Sequence, residues 1–158
     1  MPEWVPIPSA FAIYGILYKL FDLHIWKWKL LNRMGVIFTP DMSGDWEMTT
    51  YSSVTDYLIP YSGNLKISQT WNKISLYLDG EKFIGTSTMA SFDMRTKKSF
   101  SLKWEYLSQK KPEFSDQDYM HYGMTRILKE EGSESISGDY YTDRSRHSYG
   151  KVTLIKKA

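Results

Sequence analysis

Apolar and polar residues alternate with a period of two through most of the chain from Trp46 onward. The clearest run is Phe100–Tyr106, in which every second residue is aromatic or apolar and the residues between them are Ser, Lys and Glu. Such alternation is typical of β-strands with one buried face. The pattern predicts eight strands of ordinary length. These cover residues 45–49, 65–70, 73–78, 83–92, 100–106, 121–129, 135–142 and 149–156.

The connections between these strands are short, and none of them has helical periodicity. Parallel βαβ units are therefore not expected, and the sequence predicts an all-β fold. An eight-stranded antiparallel meander that closes on itself has no free sheet edge and can hold one small ligand. We expect such an eight-stranded meander β-barrel over residues 39–158. A two-sheet sandwich is the structural alternative.

Residues 1–38 follow a helical period instead. Pro8-Ser9 is the predicted start of a helix and Gly35 its predicted end, while Thr39-Pro40 separates it from the strands. We expect an N-terminal amphipathic α-helix, which forms a helical stem for the barrel. Its charged side chains gather opposite an apolar face formed by Tyr14, Leu17, Tyr18, Phe21, Ile25, Trp28 and Leu31.

Two interpretations of the stem are open. Its apolar face either packs against the rest of the protein or a second subunit, or the helix lies close to a membrane. The uncharged run from Trp4 to Tyr18 is shorter than the roughly 20 residues that span a bilayer. Trp mixed with Lys and Arg is nevertheless typical of membrane interfaces. Both interpretations are compatible if a longer natural protein carries membrane spans ahead of Met1.

Composition and charge exclude several classes of function. Twenty basic and 18 acidic residues give a net charge of +2, so binding to a DNA or RNA polymer is not expected. The chain has no Cys, and its three His are far apart, so we expect no metal site and no cofactor. Aromatic residues make up 16% of the chain, which suits a pocket for a flat ligand.

Catalytic signatures are absent from the sequence. The chain contains no Gly-x-Ser-x-Gly elbow, no phosphate-binding Walker loop and no carboxylate pair at a spacing that suggests acid–base work. We therefore predict that the protein is not an enzyme. A barrel hydrolase with a nucleophile beside His121 or His147 stays open as an alternative.

Three motifs carry candidate roles. Gly44-x-Trp46 predicts an indole that plugs the end of the barrel core rather than one that contacts the ligand. Gln69-Thr70 ends a strand, where the two side chains either read a base edge or satisfy a turn. The segment Gly138–Arg144 runs aromatic residues into a loop that also contains Arg146 and His147. That loop either binds a phosphate beside stacked rings or is a solvated basic loop.

These motifs occur in an order that resembles a known family. The residues are Tyr18-Lys19-Leu20-Phe21-Asp22, Trp26-Lys27-Trp28, Pro40-Asp41-Met42-Ser43-Gly44-Asp45-Trp46, Gln69-Thr70, His121-x-Gly123 and Gly138-x-Tyr140-x-Thr142-x-Arg144. The set resembles CD-NTase-associated effectors of bacterial CBASS anti-phage defence, in which two transmembrane helices are fused to a β-rich sensor domain. The likeness covers nearly the whole chain but lacks the two spans, so we expect this chain to be a soluble fragment.

The resemblance implies a barrel that binds a cyclic dinucleotide made by a partner nucleotidyltransferase. Binding would promote self-association, and the spans of the full-length protein would then disrupt the bacterial inner membrane and kill the infected cell. The barrel would lie in the cytoplasm.

Six ligand-binding residues follow from the matched motifs and their chemistry. Aromatic rings would stack on the bases, Gln and Thr side chains would read base edges, and an Arg would pair with a phosphate. The residues are Tyr106 and Tyr141 for stacking, Gln69, Thr70 and Thr142 for base edges, and Arg144 for the phosphate.

A lipocalin-like barrel that carries a small apolar ligand is the main rival. It would use the same fold, with Phe100, Leu102 and Trp104 lining the cavity. The polarity of the interior distinguishes the two. A lining that contains Arg, Gln and Thr favours a nucleotide, and an entirely apolar lining favours a lipid.

Overall fold

A closed antiparallel β-barrel forms most of the protein. The computed structural model describes residues 9–94, 96, 99–114, 120–133 and 135–157. Within these residues each strand pairs with the next, and the first pairs with the last, which confirms the predicted meander barrel and excludes the sandwich. The strands are β1 Gly44–Ser52, β2 Pro60–Gln69, β3 Ile74–Gly80, β4 Phe83–Met94, β5 Phe100–Lys110, β6 Met120–Lys129, β7 Ile136–Thr142 and β8 Tyr149–Lys156.

Closure takes place between β1 and β8. The two strands pair from Trp46 opposite Lys156 to Ser52 opposite Gly150. One more backbone hydrogen bond, from Lys157 N to Asp45 O (3.0 Å), extends the seam. Closing the sheet removes the two edges whose unpaired backbone groups would otherwise invite aggregation.

The two ends of the barrel interior differ in composition. Where β1 begins and β8 ends, the interior is filled with apolar side chains, because the inward positions there are large and aliphatic or aromatic. At the other end the inward positions are mostly Gly, Ser, Thr and Tyr, which leaves a cavity. The packed core includes Trp46, Leu65, Ile67, Leu76, Phe100, Leu102, Ile127, Ile136, Val152 and Leu154.

Residues 40–42, just before β1, cover the packed end of the barrel. Trp46 is buried, and its indole N–H donates a hydrogen bond to the Met42 carbonyl (2.9 Å). The Gln69 side chain accepts a hydrogen bond from Met42 N (2.8 Å) and donates one to the Pro40 carbonyl (3.0 Å). These bonds hold Met42 in the core. The plugging role predicted for Trp46 is confirmed.

The helical residues form a second compact unit, which also includes the turn Thr70–Lys73 between β2 and β3. Ser9 caps the first helix by accepting a hydrogen bond from Ala12 N, which agrees with the predicted start; Pro8 lies outside the described residues. In the part of the chain that the structure describes, no helix is both long and apolar enough to cross a bilayer. The helical elements are α1 Ala10–Leu23, a 3₁₀ turn Ile25–Lys27 and α2 Lys29–Arg33.

The predicted single helix is interrupted, because Trp28 has an extended backbone (φ −67°, ψ 126°). Trp26 is buried, with its ring 6.1 Å from that of Trp71. Asp22 is also buried and accepts hydrogen bonds from the backbone and side-chain N–H groups of Asn72 (3.0 Å each). The predicted apolar face is buried only in part. Its members Phe21, Ile25 and Leu31 are half-buried, with the Phe21 ring edge-on to that of Trp71 (centroids 5.4 Å), whereas Tyr14, Leu17, Tyr18 and Trp28 are exposed.

The β1–β8 seam leaves no room for a side chain at Gly150. A Cβ there would overlap the backbone carbonyl of Tyr51, which cannot move without separating the two strands. We expect Gly150→Ala to lower the free energy of unfolding by about 1–3 kcal/mol, measured by chemical denaturation followed by Trp fluorescence. Gly15→Ala in α1 is the matched control, since its Cβ meets nothing within 4 Å. Equal stability of the two variants would contradict this close packing.

Candidate functional site

The open end of the barrel contains a cavity of about 460 Å³, a size typical of small-molecule sites. Ser, Thr and aromatic side chains form most of the wall towards the mouth, and aliphatic side chains contribute near the packed core. The Ser and Thr residues are Thr50, Ser52, Ser62, Ser87, Ser108, Thr125, Thr142 and Ser148. The aromatic residues are Tyr61, Phe83, Trp104, Tyr106 and Tyr140, and the remaining polar residues are His121, Glu81, Lys82 and Arg146.

Two inward-facing glycines determine where the tyrosine rings of the cavity lie. A Cβ at Gly123 would overlap the side chain of Tyr106, and a Cβ at Gly150 would overlap the ring of Tyr140. Each tyrosine is the direct cross-strand neighbour of its glycine. Because the glycines have no side chain, each ring lies over the neighbouring strand instead of filling the barrel axis. The centre of the cavity stays open as a result.

The pairing of β5 with β6 shows how deep in the barrel each residue of this part of the cavity wall lies. Inward-facing pairs are two residues apart along each strand, about 7 Å. From the mouth inward, the pairs are Ser108–His121, Tyr106–Gly123, Trp104–Thr125 and then, in the packed core, Leu102–Ile127.

Arg146 lies at the mouth. Its guanidinium carbon is 5.3 Å from the centroid of the Phe83 ring, and its Nη1 is 3.4 Å from His121 Nε2. Phe83 begins β4 and His121 is the second residue of β6, so the side chain reaches from the β7–β8 loop to two other strands. The aromatic face favours the cation and holds it over the cavity.

Asp143 fixes the loop that carries Arg146. Its carboxylate accepts hydrogen bonds from the Ser145 hydroxyl, from Ser145 N (3.0 Å) and from Tyr122 N (3.0 Å). These bonds, the Ser145 hydroxyl first, lower the pKa of Asp143. Thr142 N donates to the Ser148 carbonyl (2.8 Å) and closes the base of the loop. The loop is therefore anchored to β6 as well as to its own ends.

His121 is buried, 4% exposed, and its ring meets that of Tyr106 edge-on with centroids 6.3 Å apart. Burial, and then the positive charge of Arg146, lower the pKa of His121 from 6.5 to about 4, although Asp143 acts in the opposite direction. Burial also raises the pKa of Tyr106. At neutral pH His121 is thus uncharged and Tyr106 protonated, so the positive charge of the lining resides on Arg146 and Lys82.

Two of the six residues predicted to bind ligand line the cavity, namely Tyr106 and Thr142. Tyr141 follows the inward-facing Tyr140 and points outward, because successive strand residues face opposite sides. It is 57% exposed, and its hydroxyl donates to the sulfur of Met124 (3.1 Å). Arg144 is exposed and does not line the cavity.

The other two predicted residues lie away from the cavity. Gln69 is buried at the packed end, where both polar atoms of its amide hold the Pro40–Met42 segment. Thr70 belongs to the β2–β3 turn, and its hydroxyl accepts a hydrogen bond from Lys73 N (3.1 Å). The ligand-binding roles assigned to the six residues stay predictions, and the structure brings together only Tyr106 and Thr142.

Several cavity residues are not among the six predicted to bind ligand, above all Arg146, Thr125 and Tyr140, although Arg146 and Tyr140 belong to the segment whose loop is a candidate for phosphate binding. The period-two alternation could have identified Tyr140, because Thr142 is two residues away on the same face. Thr125 could have been found in the same way from His121.

As for metals, no three His, Asp or Glu side chains converge anywhere in the described ranges.

The chain is similar to proteins of known family. A family model described as Cap15, cyclic dinucleotide receptor domain, matches residues 37–156, which contain the entire barrel. The CD-NTase-associated protein 15 of Yersinia aleksiciae is 25% identical over 150 residues, 94% of this chain and 69% of that protein. The protein of the same name from Staphylococcus schleiferi is 28% identical over 146 residues, 88% of this chain and 74% of that protein.

These matches confirm the resemblance to CD-NTase-associated effectors that the sequence motifs indicate. The matched family is a receptor domain and not an enzyme family. Since the match covers most of its length, this chain belongs to the family of Cap15 cyclic dinucleotide receptor domains.

Proposed function

We propose that the cavity at the open end of the barrel is the binding site for the cyclic dinucleotide. The observation that carries this proposal is the Arg146 guanidinium, held over a cavity whose walls are aromatic rings and hydroxyls. A cyclic dinucleotide has two flat bases and two negative phosphates. Guanidinium groups pair well with phosphates, while rings and hydroxyls suit the faces and edges of bases.

The polarity of the lining favours a nucleotide over an apolar ligand. The wall contains Arg146, His121 and eight hydroxyl-bearing Ser and Thr residues. An apolar ligand would displace water from these groups and offer them no hydrogen bonds in exchange, which is unfavourable. A lipocalin-like carrier is therefore the weaker interpretation.

Further steps would follow from ligand binding. We propose that the occupied barrel self-associates and that membrane spans of the full-length protein then disrupt the bacterial inner membrane. A ligand drives assembly only if it binds the assembled state more tightly than the free one. The exposed apolar side chains of α1 offer a surface for such contacts. The receptor would leave its ligand chemically unchanged, so chromatography after incubation should recover the cyclic dinucleotide intact.

The two arginines of the β7–β8 loop allow a matched test. We expect Arg146→Ala to weaken cyclic dinucleotide binding at least tenfold in isothermal titration, because it removes the cation that faces the cavity. Arg144→Ala removes the same charge from the same loop at an exposed position, and we expect it to change affinity less than threefold.

A larger loss of affinity in Arg144→Ala than in Arg146→Ala would assign the phosphate contact to Arg144, as the sequence motif predicts. The site would then lie on the outer face of the loop. Circular dichroism of both variants checks that the barrel is folded.

Gln69 separates a structural role from a binding role. We expect Gln69→Leu to lower the free energy of unfolding by about 1–3 kcal/mol, because the Met42 amide and Pro40 carbonyl lose their partners. Ligand affinity of the folded variant should stay within threefold of the wild type. A large loss of affinity with unchanged stability would instead place Gln69 in the binding site.

The depressed pKa of His121 makes binding depend on pH. A phosphate beside Arg146 would offset the cation that disfavours imidazolium, so the pKa of His121 should be higher in the complex than the value of about 4 in the free protein. Binding would then take up a proton, and affinity should rise up to about tenfold as the pH falls from 7 to 5. The affinity of His121→Gln should not change over the same pH range. Wild-type affinity that falls on acidification would contradict this arrangement.

A further inference from the structure

Thr125 lines the inner end of the cavity and has a buried, unsatisfied hydroxyl. Its side chain is 1% exposed, and its Oγ1 has no hydrogen-bond partner among the described residues. Buried polar side-chain atoms are hydrogen-bonded in the large majority of cases, so this exception requires an explanation. Of the buried side-chain polar atoms that lack a partner in the described ranges, only Thr125 Oγ1 belongs to the cavity lining.

The surroundings of this hydroxyl are flat and apolar. Thr125 pairs with Trp104 on β5 and with Tyr140 on β7, and both rings line the cavity. The Leu102–Ile127 pair of the packed core lies directly beneath. Such a pocket suits a planar ring that has an apolar face and a polar edge, because the walls contact the face and the hydroxyl is left for the edge.

The charges of the lining lie far from this inner end of the cavity. Glu81, Lys82 and Arg146 all belong to connections between strands at the mouth. His121, which contacts Arg146, is four residues from Thr125 on β6, about 13 Å along the strand. A phosphate at the inner end would be stripped of water without a cation beside it, which is strongly unfavourable. An uncharged part of the ligand fits this position better.

We propose that Thr125 forms the floor of a base subsite and determines which base enters it. One nucleobase of the cyclic dinucleotide lies inside the barrel beside Trp104 and Tyr140. The polar edge of that base hydrogen-bonds the Thr125 hydroxyl, while the phosphates stay at the mouth near Arg146. This proposal rests on the cyclic dinucleotide function of the cavity, and it adds the part of the ligand that is buried and the residue that reads it.

The test uses an isosteric pair of variants. Thr125→Val replaces the hydroxyl by a methyl group of similar size, and Thr125→Ser keeps the hydroxyl and removes the methyl group. Wild type and both variants are titrated calorimetrically with a panel of cyclic dinucleotides that differ only in their bases. We expect Thr125→Val to lose at least tenfold in affinity for the preferred ligand and to discriminate less among the bases, whereas Thr125→Ser stays within about threefold.

Ligand-free thermal unfolding supplies a second measurement. Thr125→Val should unfold at a temperature equal to or above that of the wild type, because it removes a buried hydroxyl that has no partner. If the valine variant does not fold, Thr125→Ala carries the same expectation for affinity. A folded variant without the hydroxyl that keeps full affinity and base preference would overturn the proposal. A loss of equal size for every ligand would also overturn it, since the contact would then be to a part common to all of them.

The failure of this proposal is distinguishable from failure of the function itself. If the wild type binds and Arg146→Ala does not, while Thr125→Val binds normally, only the base subsite is wrong. If the wild type binds no member of the panel, the proposed function fails and the subsite fails with it.

Discussion

The pairing of β1 with β8 is the constraint on which the rest of the structure depends. It closes eight strands into a cylinder whose interior is just wide enough for one set of inward-facing side chains. The composition of those positions then decides which part is filled. Leu102, Ile127 and Leu154 fill one end, and the small residues Gly123, Gly150 and their hydroxyl neighbours leave the other end open. The cavity is therefore a property of the barrel sequence itself.

Much of this architecture could be predicted, because a single pattern encodes both a strand and its buried face. The alternation that identifies β5 also places Trp104 and Tyr106 inside the barrel, where the structure has them. The helical stem was predicted less well. Its apolar period marks helical residues correctly, but the burial of Asp22 and Trp26 depends on contacts with Asn72 and Trp71 in a distant turn. Sequence periodicity has no information about such contacts.

The β7–β8 loop shows what sequence reasoning cannot resolve, for a physical reason. Arg144 and Arg146 are both basic and both close to Thr142, so composition cannot separate them. Their orientation is set by Asp143, which binds Tyr122 on the neighbouring strand and Ser145 within the loop. Loops have no fixed side-chain period, so individual hydrogen bonds such as these decide which of the two arginines lines the cavity. Gln69 is a similar case, because its amide is equally suited to a base edge and to the Met42 and Pro40 backbone.

The composition of the open end also explains how a small barrel can act as a receptor. Filling the cavity with Leu and Val would give a more stable protein, since a buried hydroxyl without a partner reduces stability. Thr125 retains this unfavourable feature in the free barrel. A ligand that supplies a polar edge to this hydroxyl removes the unfavourable feature, and its binding stabilises the occupied barrel by mass action. The free barrel is therefore less stable than it could be, and ligand binding raises its stability. A signal requires such a difference between the occupied and the empty state.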